Sequence, residues 1–308
     1  MKKQIICVLV VTLIASINNE SAAQKIKLLK KTHLTDYPSA SSLEFYNEKL
    51  YVIGDDAASI WILDTEHRFL DSIVLFPSKA KRIDPAIKAD LESSTIISKN
   101  NKNYLVLLSS FSTTNRNKII FVDLDNPKNG LKQIVSNLDN VAVQELNIEG
   151  AATINDDLIL SNRANTTHTS NSFIITTIDS AGIGKSNTTL TIILPKKKNI
   201  IGISGITYVK EEDLMLFTAS TENTPNAYSD GEIGSSYIGY IKNISKKLES
   251  KSVKVTKLIS ISKYLAEKSA QKIESMAVES IKDKKIIFHL AADNDNGEST
   301  LFKLRLNK

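Results

Sequence analysis

From Ser39 onward the chain repeats one hydropathic figure: an apolar residue, a Glu or Ser, one or two small residues, then an alternating apolar tail. It reads "DLESSTII" around Glu92, "NIEGAATI" around Glu149, "GISGITYV" around Ser204 and "KIESMAVE" around Glu274, and more weakly "SASSLEFY", with Ala40 in the place of the Glu. Alternation at period two marks each as a half-buried β-strand. A second strand follows each ("KLYVIGDD", "NYLVLLSS", "DLILSNRA", "DLMLFTAS", "KIIFHLAADND"), and then a third ("SIWILD", "KIIFVDL", "SFIITTI", "SYIGYI", "TLFKLRL"). A fourth is visible in "FLDSIVLF", "LTIILP" and "KVTKLISI".

Three or four short strands in each unit of about fifty residues, joined by Gly, Asn and Asp turns, predict a β-propeller. A two-sheet sandwich has no reason to repeat one inner-strand motif along its length. Five units are visible, and the interval from Ser204 to Glu274 has room for a sixth. The expected fold is therefore all-β: a single propeller over 24–308, of five blades with six as the alternative. "KIKLLKKTHL" would close the ring as the outer strand of the last blade. "ISKYLAEKSAQ" is the best helical candidate, a short decoration in the longest interval.

Residues 1–23 have the form of a signal peptide. Lys2-Lys3 precede an apolar run from Ile5 to Ala15, and Ser21-Ala22-Ala23 supply small residues at the cleavage site. The run is too short to span a bilayer. The expectation is an exported protein, periplasmic or extracellular, with a mature chain beginning near Gln24 and no transmembrane segment. Cys7, the one cysteine, leaves with the leader, so no disulfide and no thiolate chemistry are expected. Of the 308 residues, 42% are hydrophobic and 24% charged, as in globular proteins. The net charge of +5 is carried mainly by lysines in turns, such as Lys196 to Lys198, which argues against a nucleic-acid surface. A monomer is expected.

In a propeller the first strand of each blade lines a central channel, and the turn after the second strand lies at one mouth of it. That placement gives Glu149, an otherwise costly carboxylate inside a strand, a polar setting. Glu92, Glu149 and Glu274 would face one another as hard oxygen donors suited to calcium. The loops "DNDNGE" (Asp293, Asp295) and "SDGE" (Asp230, Glu232) add further carboxylates. Asp55, Asp56, Arg116, Asn162, Arg163 and Glu222 would gather at the mouth as ligand contacts, with Tyr228 facing a ligand from the long loop. Arg116 and Arg163 follow second strands in successive units, so they could grip an anion together. The alternative is that each pairs with a neighbouring Glu. Catalytic candidates are Glu149, Arg163 and His168, the last being the one histidine placed to act as a base. The four histidines are scattered without metal-ligand spacing, no Gly-x-Ser-x-Gly elbow occurs, and no nucleotide, haem or zinc site is apparent.

The stretches "PSASSLEFYNEKLYVIGDDAASIWILD", "DLE", "NIEG" and "KIESMAVE" resemble the propellers grouped as esterase-like phytase and SdiA-regulated proteins. The similarity is greatest to an uncharacterised bacterial branch that also reads "LLSSFSTTNR", "LSNRAN" and "FTASTENTPNAYSDGEIGSSYIGY". It covers the mature chain and implies the propeller fold; by distant similarity it also implies a calcium-dependent phosphoesterase. Two readings follow. One is an exported propeller binding a small anionic ligand or another exported macromolecule at its channel, calcium being the possible cofactor. The other is a phytase-like hydrolase using the same carboxylates and arginines.

Overall fold

The computed structural model describes residues 26–307 except 79, 129, 140, 144, 186, 223–232, 268 and 294–296, and all that follows concerns those residues. Five sheets form five blades around one channel. Blade 1 is Ala40–Tyr46, Lys49–Gly54, Ser59–Leu63 and Phe69–Val74; blade 2 is Leu91–Lys99, Lys102–Ser109, Lys118–Asp123 and Leu131–Val135. Blade 3 is Ile148–Ile154, Asp157–Asn162, Asn171–Thr176 and Thr188–Ile193. Blade 4 is Ile201–Val209, Leu214–Glu222, Ile233–Lys242 and Lys257–Ser260. Blade 5 is Ile273–Lys282, Lys285–Asp293, Ser299–Asn307 and, from the other end of the chain, Ile26–Leu34. The pairing of Ile26–Leu34 with Ser299–Asn307 closes the ring, as "KIKLLKKTHL" predicts.

Among the described residues the interval from Ser204 to Glu274 holds no sixth blade. Its "KVTKLISI" segment supplies Lys257–Ser260 as the fourth strand of blade 4, while Ser252–Lys254, which overlaps that segment only at Lys254, pairs in parallel with the outer strand of blade 3. That extra strand covers an edge that would otherwise stay open. The helix expected in "ISKYLAEKSAQ" is reduced to one 3-10 turn, Ser262–Tyr264. Among the described residues no helix is long and apolar enough to cross a membrane.

Five apolar clusters fill the spaces between neighbouring blades. Blade 2 meets blade 3, for example, through Val106, Leu108, Ile148, Leu158, Leu160 and Ile174. The core is therefore a ring of wedges, and the axis is left to polar groups. Several hairpins that turn each first strand back use two left-handed residues, Asn47-Glu48, Asn100-Asn101 and Asp283-Lys284, which match the twist of the strands they join.

A β-bulge interrupts every innermost strand at the repeated motif. Pairing skips one residue at Ser41, Glu92, Glu149 and Glu274, and two at Ser204-Gly205. An extra residue in one strand re-aims a side chain without breaking the sheet. The bulge also corrects the alignment of blade 1, where Ser41 and not Ala40 stands in the Glu position. Small residues at the motif allow the strands to converge. A Cβ on Gly150 would lie 2.5 Å from Ser204 O, and one on Gly205 would lie 2.6 Å from Ser275 Cα.

Candidate functional site

The bulges lie near the starts of the innermost strands, where the turns after the second strands also arrive. Two charged groups form there. In the first, Arg163 donates from Nη1 to Glu149 Oε2 at 2.7 Å and from Nη2 to Ser220 Oγ at 2.9 Å. The same Nη1 lies 3.8 Å from Glu274 Oε2, whose other oxygen meets Lys272 Nζ at 3.1 Å. Asn147 Nδ2 completes Glu149 at 2.7 Å. In the second group, Lys88 Nζ bonds Asp55 and lies 2.8 Å from Asp90 Oδ1, while Arg116 Nη1 lies 3.0 Å from Asp90 Oδ2. Ser110 Oγ donates to Asp90 as well. Beside it, Arg82 Nε donates to Asp56 Oδ2 at 2.6 Å.

Burial dominates the ionisation of these groups. It raises Glu149 to about 7 against the pull of Arg163, with Glu274 pushing the same way as burial. It raises Asp55 to about 6 against Lys88. Glu92 is held well above the ordinary carboxylate value, first by burial, then by Asp90 and Asp55. Burial alone would lower the Lys88 ammonium, but Asp55, Asp90 and Glu92 outweigh it and hold it above its usual value. Glu92 differs from its neighbours in making no hydrogen bond or ion pair among the described residues. Its carboxyl therefore keeps its polar valences for something else.

The expected site residues divide clearly. Asp55, Glu92, Arg116, Glu149, Arg163 and Glu274 do converge on one mouth, and Asp293 ends the second strand of blade 5 there, buried. Arg116 pairs with Asp90 of its own blade, and Arg163 with Glu149 of its own blade and Glu274 of blade 5, so the two guanidiniums are engaged and do not form a free clamp. Asn162 is fully buried and laces backbone: Nδ2 donates to Glu145 O and Oδ1 accepts from Asn147 N. His168 belongs to a loop pinned by Asn165, whose Oδ1 accepts from the His168 amide at 2.6 Å; its Nε2 is buried without a partner. Tyr228, Asp230, Glu232 and Asp295 lie outside the described residues, and of Glu222 only the strand position is described.

Sequence reasoning missed Lys88, Asp90, Asn147 and Lys272. A signal was present, because Asp90, Asn147 and Lys272 each stand two residues before a channel Glu, in "DLE", "NIE" and "KIE". The histidines are not all scattered, as expected from spacing: His67 Nε2 meets His289 Nδ1 at 2.8 Å, and His289 Nε2 meets Glu279 Oε2 at 2.8 Å.

Asp55, Asp90 and Glu92 each offer an oxygen within 4.8 Å of the others, and Asp55 Oδ1 is buried without a partner. These are donors of the type calcium takes. The Lys88 ammonium already stands against two of the three, and the Arg163 guanidinium stands between Glu149 and Glu274. At both places a side chain supplies the cation. At its other end the channel widens into a cavity of about 980 Å³, to which the ends of all five innermost strands contribute.

A five-bladed ring of sheets built on four antiparallel strands, one of them extended by a parallel fifth, with a polar channel mouth, defines a β-propeller protein. Within that class the chain belongs to the family described as "Family of unknown function (DUF6929)", which matches residues 36–306. Its fold is similar to a glutaminyl cyclase from Myxococcus xanthus, at TM-score 0.53 and 10% identity over 92% of this chain and 97% of that one. It is also similar to a GH43 β-1,3-galactosidase solved with galactodeoxynojirimycin, at TM-score 0.50 and 9% identity over 90% and 94% of the two chains. These likenesses concern the fold. No curated protein matches the sequence, and the family shown is this one and not the phytase-like group.

Proposed function

We propose that this protein is an exported binding propeller that takes a small polar ligand at the mouth where the innermost strands begin. The observation that carries the reading is the ion pairing of that mouth. Asp55, Asp90, Glu149 and Glu274 are each held by Lys88, Arg116, Arg163 or Lys272, so four carboxylates meet four side-chain cations. Such a surface is rigid and close to neutral once Glu92 carries its proton. It offers directed donors and acceptors, with Glu92 as the group left to meet a ligand, and this suits a neutral polyhydroxylated or amide-bearing molecule better than a phosphate. The phosphoesterase reading is weaker, because it needs guanidiniums free to neutralise a transferred phosphoryl group. Calcium, if it enters, would be held by Asp55, Asp90 and Glu92 in place of the Lys88 ammonium. Export rests on the leader-like residues 1–23.

The test is a melting series on residues 24–308 with monosaccharides, inorganic phosphate and p-nitrophenyl phosphate, each with chelator and with calcium chloride. A ligand of the folded state raises the midpoint with its concentration. A sugar that does so in the wild type but not in Glu92→Ala supports the reading. Calcium-dependent release of p-nitrophenol would replace it with the hydrolase.

A further inference from the structure

The cavity at the far end of the channel is separate from the charged mouth and has its own chemistry. Its wall carries Glu44, Glu211, Glu212 and Glu279 against one lysine, Lys210, in a chain whose net charge is +5. Two of these carboxylates differ in how they are held. Glu279 accepts from His289 Nε2 at 2.8 Å and lies 2.9 Å from Lys303 Nζ. Burial would raise it, but those two partners prevail and keep it below the ordinary carboxylate value. Glu44 has Ser94 Oγ at 3.3 Å and no ion pair among the described residues. Burial pushes it up to about 8.

The histidines behind Glu279 fix its orientation. An ionised carboxylate can only accept, so His289 donates from Nε2, and its Nδ1 must then accept from His67 Nε2–H. His67 Nδ1 is left to accept from Thr32 Oγ1 at 3.0 Å. Glu279 is thus a fixed wall charge, already balanced, whereas Glu44 meets the cavity with no cation beside it. Tyr46, on the same face of its strand as Glu44, and Tyr208 line the same space, whereas Phe45 alternates to the other face and stacks on His289 at 6.3 Å. Aromatic rings beside a carboxylate attract an organic ammonium group, through the ring quadrupole and the opposite charge together. A bare metal ion fits less well, since it needs six to eight oxygens and about 980 Å³ is far more room than it fills.

We propose that this cavity binds a small organic cation, an amine or quaternary ammonium compound, with Glu44 as its counter-ion and Tyr46 and Tyr208 as its aromatic walls. Binding then requires Glu44 to be ionised, so it releases a proton and strengthens as pH rises. The other titratable groups lining the cavity are Tyr46 of blade 1, Glu279 of blade 5 and Tyr208, Lys210, Glu211 and Glu212 of blade 4; Tyr51 lies beside Glu44 in the register of its own blade.

The experiment is calorimetric titration of the full mature chain with choline, whose charge does not change with pH, and with spermidine as the amine arm. Runs at about pH 6 and about pH 9, in buffers of different ionisation enthalpy, report the released proton. The apparent affinity should fall roughly tenfold for each pH unit below about 8, because that is how the ionised fraction falls. Glu44→Gln, which keeps the shape, should abolish binding of both probes while retaining a cooperative melt. Tyr208→Leu should weaken choline by about tenfold through loss of the ring face. Absence of binding by either probe at either pH, an affinity that ignores pH, or a Glu44→Gln protein that binds as well as the wild type would each overturn the proposal.

Discussion

The Nη1 nitrogen of Arg163 donates to Glu149 at 2.7 Å and stands 3.8 Å from Glu274, so one guanidinium serves carboxylates from two different blades. With the side chain only 6% exposed, these charges have little water to turn to. Removing one partner from such a buried group leaves the others uncompensated. Arg163→Met is expected to cost about 3–5 kcal/mol in urea unfolding at neutral pH. Adding Glu149→Gln to it should recover part of that loss, which a double-mutant cycle measures directly. Equal losses in the single and double variants would show that the guanidinium acts by packing alone. Gly202→Ala should weaken the same contact from outside, because its new Cβ would lie 2.5 Å from Arg163 Nε and 2.9 Å from the fixed carbonyl of Ala164.

Glu92 leads to the opposite sign. Its folded-state pKa lies well above the usual carboxylate value, so across that window the folded chain holds a proton that the unfolded chain has lost. Stability therefore falls as pH rises from the ordinary glutamate range upward. Burial is the main cause, Asp90, Asp55 and Glu149 push the same way, and Lys88 opposes them. Glu92→Gln removes the ionisation and should stabilise the protein at neutral pH by roughly 1–2 kcal/mol, with the gain vanishing below about pH 4. Urea midpoints of the two proteins across that pH range check it. A variant less stable than the wild type at neutral pH would mean that the carboxylate is needed in its charged form.

The blades were legible because a propeller writes its pattern into local sequence. Alternation and turn residues act within one hairpin, so "NIEGAATI" and "DLILSNRA" announce their strands unaided. The channel glutamates were legible for the same reason, as each lies at one repeated position. What failed was whatever depends on one unit meeting another. Ser41 was hidden behind Ala40 because a bulge shifts the register by one, and alternation alone cannot show which residue is extra. The parallel strand Ser252–Lys254 went unread, with only Lys254 falling in "KVTKLISI", since its partner lies in blade 3. His67 and His289 are 222 positions apart and meet only when the ring closes. The pairing of Arg163 with Glu149 was open to sequence as the alternative to a free clamp, but Glu274 and Ser220 on the same guanidinium were not, because they come from other blades.

The histidine pair gives a pH dependence of its own. Burial and the neighbouring His289 lower His67 to about 3, while in the unfolded chain it titrates near the usual 6.5. Between those values the unfolded state binds the extra proton, so the stabilisation is complete above about 6.5 and is lost progressively as pH falls toward 3. The charged groups bearing on it are Lys30, Lys303 and Glu66. His67→Asn, tolerated at its left-handed backbone, should flatten the acid side of the stability curve while costing about 1–2 kcal/mol at neutral pH for the unmet His289 Nδ1. Long-range proton–nitrogen NMR should show both rings protonated on Nε2. Protonation of His289 on Nδ1 would reverse the direction assigned to the whole chain of hydrogen bonds.

Lys88 decides the calcium question at the mouth. Its ammonium bonds Asp55 and lies 2.8 Å from Asp90, so a metal ion entering between those carboxylates must displace it. Lys88→Met removes the built-in cation and leaves buried carboxylates facing one another, which should cost about 3–5 kcal/mol in the presence of chelator. The same variant then presents Asp55, Asp90 and Glu92 as an oxygen set without a competitor. Calcium chloride should restore much of its midpoint, and at a hundredfold excess over the dissociation constant the gain would be about 2.7 kcal/mol. The wild type should respond less, because the ammonium and the ion compete for the same oxygens. A calcium shift larger in the wild type than in Lys88→Met would place the ion elsewhere and make the lysine a bystander. No shift in either protein would mean that these carboxylates balance one another through protonation, with Glu92 carrying the shared proton.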